Sequence, residues 1–264
     1  MECSIATWNV NSVKARLPHL LDWLKNTRPD IVLLQELKCM DDAFPAMEVE
    51  ELGYNIAVHG QKTYNGVAIL SKFPLEDVRT GLPGDDTDEQ ARYIEAVASL
   101  SGRAVRVASV YVPNGQTADS DKFQYKLRFL DRLVAHAKTL VEYQEMLVIG
   151  GDYNIAPNDA DVHNPKAWEG SVLTHDDVRR QFRRLCNAGL FDAFRLIGAD
   201  SKIDGYSWWD YRAGAFARND GLRIDHLMIS SLAADKLVSC EVAKDLRALE
   251  KASDHAPVVA SFKL

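Results

Sequence analysis

The sequence predicts an α/β fold: a four-layered α/β sandwich of two mostly antiparallel β-sheets packed face to face, with helices outside. Three observations carry this. Short strand-like runs, β-branched and bounded by Gly, Pro, Asn or Asp, recur along all 264 residues. Amphipathic helical stretches lie between some of them, in mixed rather than strictly alternating order. The runs are also more numerous than one open sheet usually holds, so two sheets between helical layers is the natural solution.

The strand-like runs are, in order, 4–9 (SIATWN), 30–36 (DIVLLQE), 54–60 (YNIAVHG), 65–72 (NGVAILSK), 91–100 (ARYIEAVASL), 104–113 (AVRVASVYVP), 145–154 (EMLVIGGDYN), 206–211 (YSWWDY), 222–230 (LRIDHLMIS) and 256–264 (APVVASFKL). The runs 91–100 and 104–113 are joined by SGR, a hairpin-length connection. Three stretches read as helices. In the first, Leu17, Leu20, Leu21 and Leu24 share one face and Pro29 stops the run. In the second, Phe123, Leu127, Leu130, Val134 and Ala137 keep helical spacing, and the Ser120 hydroxyl is placed to cap a free backbone N–H. The third, beginning THDD, puts acidic residues at the positive end of a helix that Gly189 terminates. The segment 160–177 has no assignable period, and His163 and Trp168 within it read as loop packing. A weak echo between IATWNVNS and LVIGGDYNIAP raises an internal duplication.

No linker or low-complexity segment divides the chain, so residues 1–264 read as one domain. No stretch approaches the apolar length of a membrane span, and the N-terminus lacks a basic region followed by an apolar run. Four scattered cysteines, Cys3, Cys39, Cys186 and Cys240, show no paired spacing and read as reduced thiols of a cytoplasmic protein. The net charge of −7 argues against non-specific attraction to nucleic acid. Acidic residues gathered around a metal would nevertheless count toward that total while a basic rim met phosphates, so local clusters outweigh the sum.

The chemistry collects at strand ends. Asn9 and Asn11, Gln35 and Glu36, Asp152 and Asn154, then Asp225, and finally Asp254 beside His255 all close or precede apolar runs. Taken singly, each is an ordinary turn former or helix cap. Together they form an oxygen-rich set with one imidazole and no cysteine, which suits Mg²⁺ or Mn²⁺ rather than zinc. A hard cation beside a His and a carboxylate fits hydrolysis of a phosphate ester.

TWNVNS, LLQELK, YNGVAILSK, SVYVPNG, GGDYNIAP, SWWDYR, GLRIDH and SDHAPV follow one another across almost the whole chain. In this order they closely resemble the exonuclease III branch of the metal-dependent AP endonucleases, within the endonuclease/exonuclease/phosphatase superfamily, whose fold is a four-layered sandwich. The resemblance implies a Mg²⁺-dependent (or Mn²⁺-dependent) DNA repair nuclease that cuts 5′ to abasic sites, trims 3′ ends and degrades duplex DNA from 3′ ends. Its implied partner is double-stranded DNA with abasic sites or blocked 3′ ends, met by a monomer without a membrane.

The resemblance also implies roles. Glu36 is the main metal ligand with Asn9 nearby, and Asp254 is an outer or second ligand. Asp152 and Asn154 lie at the metal, the attacking water and the transition-state phosphate. Tyr111 lies near the scissile phosphate, and Asp225 orients His255. Whether Asp152 or His255 is the base stays open, as does the number of metal ions. Trp208, Leu222 and Ile224 form an apolar slot for a base-free sugar, and one of Trp208 and Trp209 is a core residue because neighbours face opposite ways. Asn65, Arg92, Lys122 and Arg212 contact DNA, with Lys62, Lys72, Lys126 and Arg218 adding to a basic rim. The arginines of RRQFRR (179–184) instead read as a solvated helix face. The competing readings are a phosphatase or phosphodiesterase of the same superfamily acting on a small molecule or lipid, and a degenerate binding scaffold. The presence of Asn9, Glu36, Asp152, Asn154, Asp225 and His255 disfavours the scaffold.

Overall fold

Runs such as Ile31–Leu34 are apolar at every position because both faces of their strand are covered. In the computed structural model, which describes residues 2–100, 102–198 and 205–264, side chains along a strand alternate between two cores. Ile5, Ile31 and Leu33 point into a core shared by both sheets. Ala6, Trp8, Val32 and Leu34 point the other way, onto the first helix.

The strands are β1 (Glu2–Asn9), β2 (Ile31–Gln35), β3 (Asn55–His59), β4 (Val67–Ser71), β5 (Leu75–Thr80), β6 (Tyr93–Leu100), β7 (Arg103–Tyr111), β8 (Met146–Asp152), β9 (Leu190–Asp192), β10 (Asp225–Ser230), β11 (Leu237–Val242) and β12 (Val258–Lys263). The helices are α1 (Leu17–Thr27), α2 (Ala46–Glu50), α3 (Asp121–Glu142), α4 (Asp176–Asn187), α5 (Ala193–Ile197), α6 (Ala215–Arg218) and α7 (Ser231–Ala234). One sheet has the order β11-β12-β1-β2-β4-β3 and the other β9-β10-β8-β7-β6-β5. Helix α1 covers the outer face of the first sheet, and α3 and α4 cover that of the second. The predicted four-layered sandwich is therefore the observed architecture.

Written in those orders, the two sheets also agree in strand direction. Each has one parallel pair, β1 with β2 and β8 with β7, and every other neighbour is antiparallel. Strands β1 and β8, which carry the two echoing sequences, occupy equivalent positions. Between the sheets, Gly150 has no room for a side chain, because a Cβ there would lie 2.6 Å from Leu33 and 2.7 Å from Leu227.

Three strands escape the sequence: β5, β9 and β11. All three are edge strands, and their open sides let polar residues stand where central strands carry apolar ones. The run 206–211 is overread. It forms no strand, and only Trp208 makes isolated bridges, to Leu222 and His255. The predicted hairpin is β6–β7, with residue 101 of its connection outside the described residues.

The helix ends follow their local chemistry. Ser120 Oγ accepts from the Phe123 N–H at 3.2 Å. Helix α1 ends at Arg28 in the left-handed region, just before Pro29. Helix α4 is capped by His175, which accepts from the Asp177 N–H, and Gly189 follows it at φ +101°. All four cysteines are free, but Cys186 is exposed, unlike the buried Cys3, Cys39 and Cys240. Among the described residues no helix is long and apolar enough to cross a membrane.

A buried ionic cluster ties the loop after β8 to β9 and β10. Arg223 donates from Nε to Asp161 (2.7 Å) and from Nη2 to Asp192 (2.7 Å). His226 accepts from Arg223 Nη1 at Nδ1 (2.9 Å) and donates from Nε2 to the Ile155 carbonyl (2.9 Å), so the ring has one proton and no use for a second. Burial and then the Arg223 charge lower its pKa from 6.5 to about 4. The unfolded ring takes up a proton below 6.5, whereas the folded ring resists until about 4. This stabilisation is full above pH 6.5 and is lost as pH falls toward 4, at up to about 1.4 kcal/mol per pH unit. Urea unfolding of the wild type should therefore weaken more steeply over that window than unfolding of His226→Gln. Equal slopes would remove His226 as the cause.

Candidate active site

Strand polarity gathers the polar residues at one end of the sandwich. Because β1 and β2 are parallel, Asn9 and Gln35 end side by side, with Glu36 next. Because β7 and β8 are parallel, Tyr111 and Asp152 do the same. Strands β10 and β12 run the opposite way, so Asp225 at the start of β10 faces Asp152, and His255 just before β12 reaches the same end.

Asn9 joins the two sheets. Its Nδ2 donates to Glu36 Oε1 (2.9 Å) and to Asp152 Oδ2 (3.0 Å). Glu36 Oε1 also accepts from the Tyr111 hydroxyl at 2.8 Å, and Oε2 pairs with Lys38 Nζ at 2.9 Å. Burial opposes the Glu36 charge, but Lys38, Asn9 and His255 outweigh it and hold the carboxyl below its ordinary range.

Asp152 is 1% exposed. The Asn154 backbone N–H donates to its Oδ1 (2.8 Å) and Asn154 Nδ2 to its Oδ2 (3.2 Å). Asn154 Oδ1 in turn accepts from Asn114 Nδ2 at 3.0 Å. Burial, with Asp225 and Glu36 nearby, raises the Asp152 pKa to about 7 against the pull of His255. His255 donates from Nδ1 to Asp225 Oδ2 (2.8 Å), and its Nε2 lies 3.8 Å from Asp152 Oδ2. Burial opposes the imidazolium, yet Asp225, Asp152 and Asp254 overcome it and raise the ring's pKa to about 10. Ser207 Oγ donates to Asp225 Oδ2 at 2.6 Å. Asp254 accepts from Trp208 Nε1 (3.0 Å) and Asn11 Nδ2 (2.9 Å).

Ligand atoms of Glu36, Asp152 and His255 lie within 4.8 Å of one another. Two carboxylates with no thiolate near them suit a hard cation, with the His255 ring beside them. The crowding that raises Asp152 is what a bound cation would relieve, so these residues fit a divalent metal.

Above them is a pocket of about 210 Å³ lined also by Tyr111, Asn114, Asn154, Leu173, Trp208, Ile224 and Asp254. Of the expected apolar slot, Trp208 and Ile224 are present. Leu222 is not, because bridges to Trp208 on one side and Val162 on the other bury it completely. Leu173 supplies the wall instead. Trp209 is the core member of its pair, and Trp168 packs edge-on against Trp208 with ring centroids 6.0 Å apart. His163 touches only the loop side, at the Gly221 carbonyl.

A second cavity of about 550 Å³ shares Glu36, Tyr111 and Asn114 with the first and is lined by Asn65, Arg92 and Lys122. The Arg92 guanidinium stacks 4.7 Å above the Tyr111 ring. Arg212 is exposed and pairs with Asp210 at 2.8 Å. Two expected rim cations lie elsewhere. Lys126 is fully buried, which lowers its pKa to about 7 against the pull of Asp152. Lys72 pairs with Asp30 at the opposite end of the sheet, where β4 meets the start of β2. On α4, Arg179 and Arg180 pair with Asp159 and Asp177, and Arg184 pairs with Asp131, as a solvated face requires.

The endonuclease/exonuclease/phosphatase family profile matches residues 6–255, the span that holds every one of these site residues. The chain belongs to the endonuclease/exonuclease/phosphatase family. Exodeoxyribonuclease III of Haemophilus influenzae is 38% identical over 97% of this chain and 98% of its own length. A 3′-5′ exonuclease from Neisseria meningitidis superposes with a TM-score of 0.94 at 42% identity, covering 99% of this chain and all of the other. An AP endonuclease from Archaeoglobus fulgidus gives a TM-score of 0.93 at 38% identity, with the same coverage.

Sequence reasoning missed Lys38, Asn114, Leu173 and Ser207. Lys38 and Asn114 lie within the quoted motifs LLQELK and SVYVPNG, two and three residues from Glu36 and Tyr111. Ser207 gave no signal of its own, and Leu173 sits in the aperiodic segment.

With Asp152 and His255 facing the same small pocket, Asp152→Asn or His255→Asn should each lower phosphodiester turnover by about 10²–10⁴-fold. Near-full turnover by either variant, with native circular dichroism, would overturn the view that the reacting group lies between them.

Proposed function

We propose that this chain is a Mg²⁺-dependent DNA repair nuclease that hydrolyses the backbone 5′ to an abasic site, leaving a 3′-hydroxyl. It also trims blocked 3′ ends and removes nucleotides from 3′ ends of duplex DNA. The observation that carries the reading is the union of the Glu36–Asp152–His255 cluster with an apolar wall of Leu173, Trp208 and Ile224 in one pocket of about 210 Å³. The apolar wall suits a base-free sugar placed beside the cluster that meets its phosphate. Extruding a nucleotide costs least at a lesion, which adds to the selectivity.

The roles follow from the proton positions. His255 keeps both of its protons, giving one to Asp225 and pointing the other from Nε2 toward the pocket, where it meets a phosphate oxygen. Asp152, held from both sheets by Asn9 and Asn154, takes the proton of the attacking water. Asn154 fixes both Asp152 oxygens and so aims that carboxylate. The Tyr111 hydroxyl lies on the Glu36 side of the phosphate, with its ring held under Arg92. Glu36 and Asp152, helped by Asn9, Asn154 and Asp254, would hold Mg²⁺, which would supply neutralisation of charge at the phosphorus centre. Arg92, Lys122 and Asn65 hold the strand beside the scissile bond, and Arg212 reaches the duplex from its exposed loop.

The deciding experiment uses a 5′-labelled duplex carrying one tetrahydrofuran abasic analogue, incubated with Mg²⁺ or with EDTA. A single Mg²⁺-dependent cut 5′ to the analogue is expected. A 3′ ladder without that cut would reduce the chain to an exonuclease, and no cleavage of any DNA would defeat the reading. Arg212→Ala should weaken retention of substrate or product more than the single-turnover rate. Unchanged binding with a collapsed rate would show that Arg212 acts in the chemistry instead.

A further inference from the structure

Lys126 has no part in the roles above, yet it lies directly beneath the pocket. It sits near the start of α3 with none of its surface exposed. Its Nζ donates to three backbone carbonyls: Asn114 (3.1 Å), Asn154 (2.7 Å) and Val172 (2.8 Å). These belong to three separate segments, one after β7, one after β8 and one leading to α4. Each also lines the pocket, through Asn114, Asn154 and Leu173. An ammonium has three N–H donors, and all three are used here. The stem is equally constrained, because a Cβ on Gly115 would lie 3.2 Å from Lys126 Cδ and 3.2 Å from the Phe123 ring.

We propose that Lys126 is a positioning residue that fixes Asn154, and through Asn154 the Asp152 carboxylate, by pinning three segments of the pocket to one point. The path is short. Asn154 sits at φ +50°, a left-handed conformation that asparagine adopts readily. Its carbonyl is on Lys126, while its backbone and side-chain N–H groups are on the two Asp152 oxygens. Without the ammonium, the Asn154 carbonyl loses its partner and the peptide is free to turn. Both bonds to Asp152 turn with it. Val172 is released at the same time, which loosens the Leu173 wall.

The inference rests on the proposed nuclease reading for its kinetic arm only. Lys126→Met keeps an unbranched side chain and removes every donor. Single-turnover cleavage of the abasic duplex should fall about 10²-fold, with KM within a few-fold of wild type, the size expected for a small misplacement at the reacting centre. In an Asn154→Ala background the same substitution should cost almost nothing more, because the two residues act as one unit. Hydrogen exchange gives a readout independent of cleavage. Amides in 112–115, 153–156 and 171–174 should exchange faster together, while those of β1 and β7 keep their wild-type protection. Fully additive losses, or unchanged exchange in the three segments, would overturn the proposal. Should the wild type cut no DNA, the nuclease reading fails and the exchange data still decide the role of Lys126. If Lys126→Met does not fold, Lys126→Gln, which retains an amide donor, takes its place with partial loosening expected.

Discussion

Asp152 is a carboxylate almost wholly removed from water, close enough to Glu36 and Asp225 for both to oppose its charge. A lone buried carboxylate of this kind is costly, and its neighbours can be understood as the answer to that cost. Asn9 and Asn154 give it hydrogen bonds from both sheets, and the His255 ring is the nearest positive charge. His255 in turn holds its charge because Asp225 lies against its other nitrogen. The alternation of sign from Asp225 to His255 to Asp152 is what lets several ionisable groups share one small volume. A cation beside Glu36 would complete that alternation.

The sandwich makes this arrangement possible by repeating one sheet pattern twice. In each sheet a parallel pair sits between antiparallel neighbours, so two strand C-termini and two strand N-termini meet at one end. Facing two such sheets brings the ends of β1 and β8 together, and Asn9 and Asp152 come within hydrogen-bonding distance. Gly150 allows the close approach. Left-handed residues then cluster where the chain leaves the strands: Asn11 at φ +45°, Glu36 at +53°, Lys38 at +56° and Asn154 at +50°. Asparagine visits this region readily, whereas Glu36 and Lys38 do so at a cost of about 1–2 kcal/mol each. Their mutual ion pair and the Tyr111 and Asn9 bonds to Glu36 oppose that cost, so the strain is located at the ligand-bearing turn itself.

Central strands were legible in the sequence because both of their faces are buried, which writes an unbroken apolar run into the chain. Edge strands β5, β9 and β11 were not, because an exposed face and a free edge admit almost any polar residue. The stretch YSWWDY misled in the opposite sense: its aromatic density reflects Trp209 in a core and Trp208 on a pocket wall, not a ladder of backbone bonds. Site residues at strand ends were legible because carboxylates and carboxamides directly after apolar runs are conspicuous. Ser207 and Leu173 were not, since each matters only through what folding places beside it. Lysine was the least readable type. Lys72 and Lys126 both read as part of a basic rim, yet Lys72 lies at the far end and Lys126 is beneath the site, whereas Lys38, which drew no reading of its own, pairs with Glu36.

A chain with a net charge of −7 can still present a basic face to a polyanion if its acids are engaged elsewhere. Arg179, Arg180 and Arg184 of α4 are engaged with Asp159, Asp177 and Asp131. Arg106 is engaged with Glu145 and Arg132 with Asp88. Arg223 and Arg195 are both on Asp161. Glu36 and Asp152 are turned inward, toward one another and His255. By contrast, Arg92 and Lys122 line the cavity beside that cluster without an acidic partner among the described residues, and Arg92 is kept in place by Gln90 and by stacking on Tyr111. These two cations thus border the Glu36 end of the cluster, where in the proposed nuclease they would add local attraction for a phosphate. With Arg92, Lys122 and Arg212 as the proposed phosphate contacts, the salt dependence of binding should be shallow compared with that of a strongly basic DNA-binding protein. In that reading, discrimination falls to the apolar wall of the pocket rather than to charge.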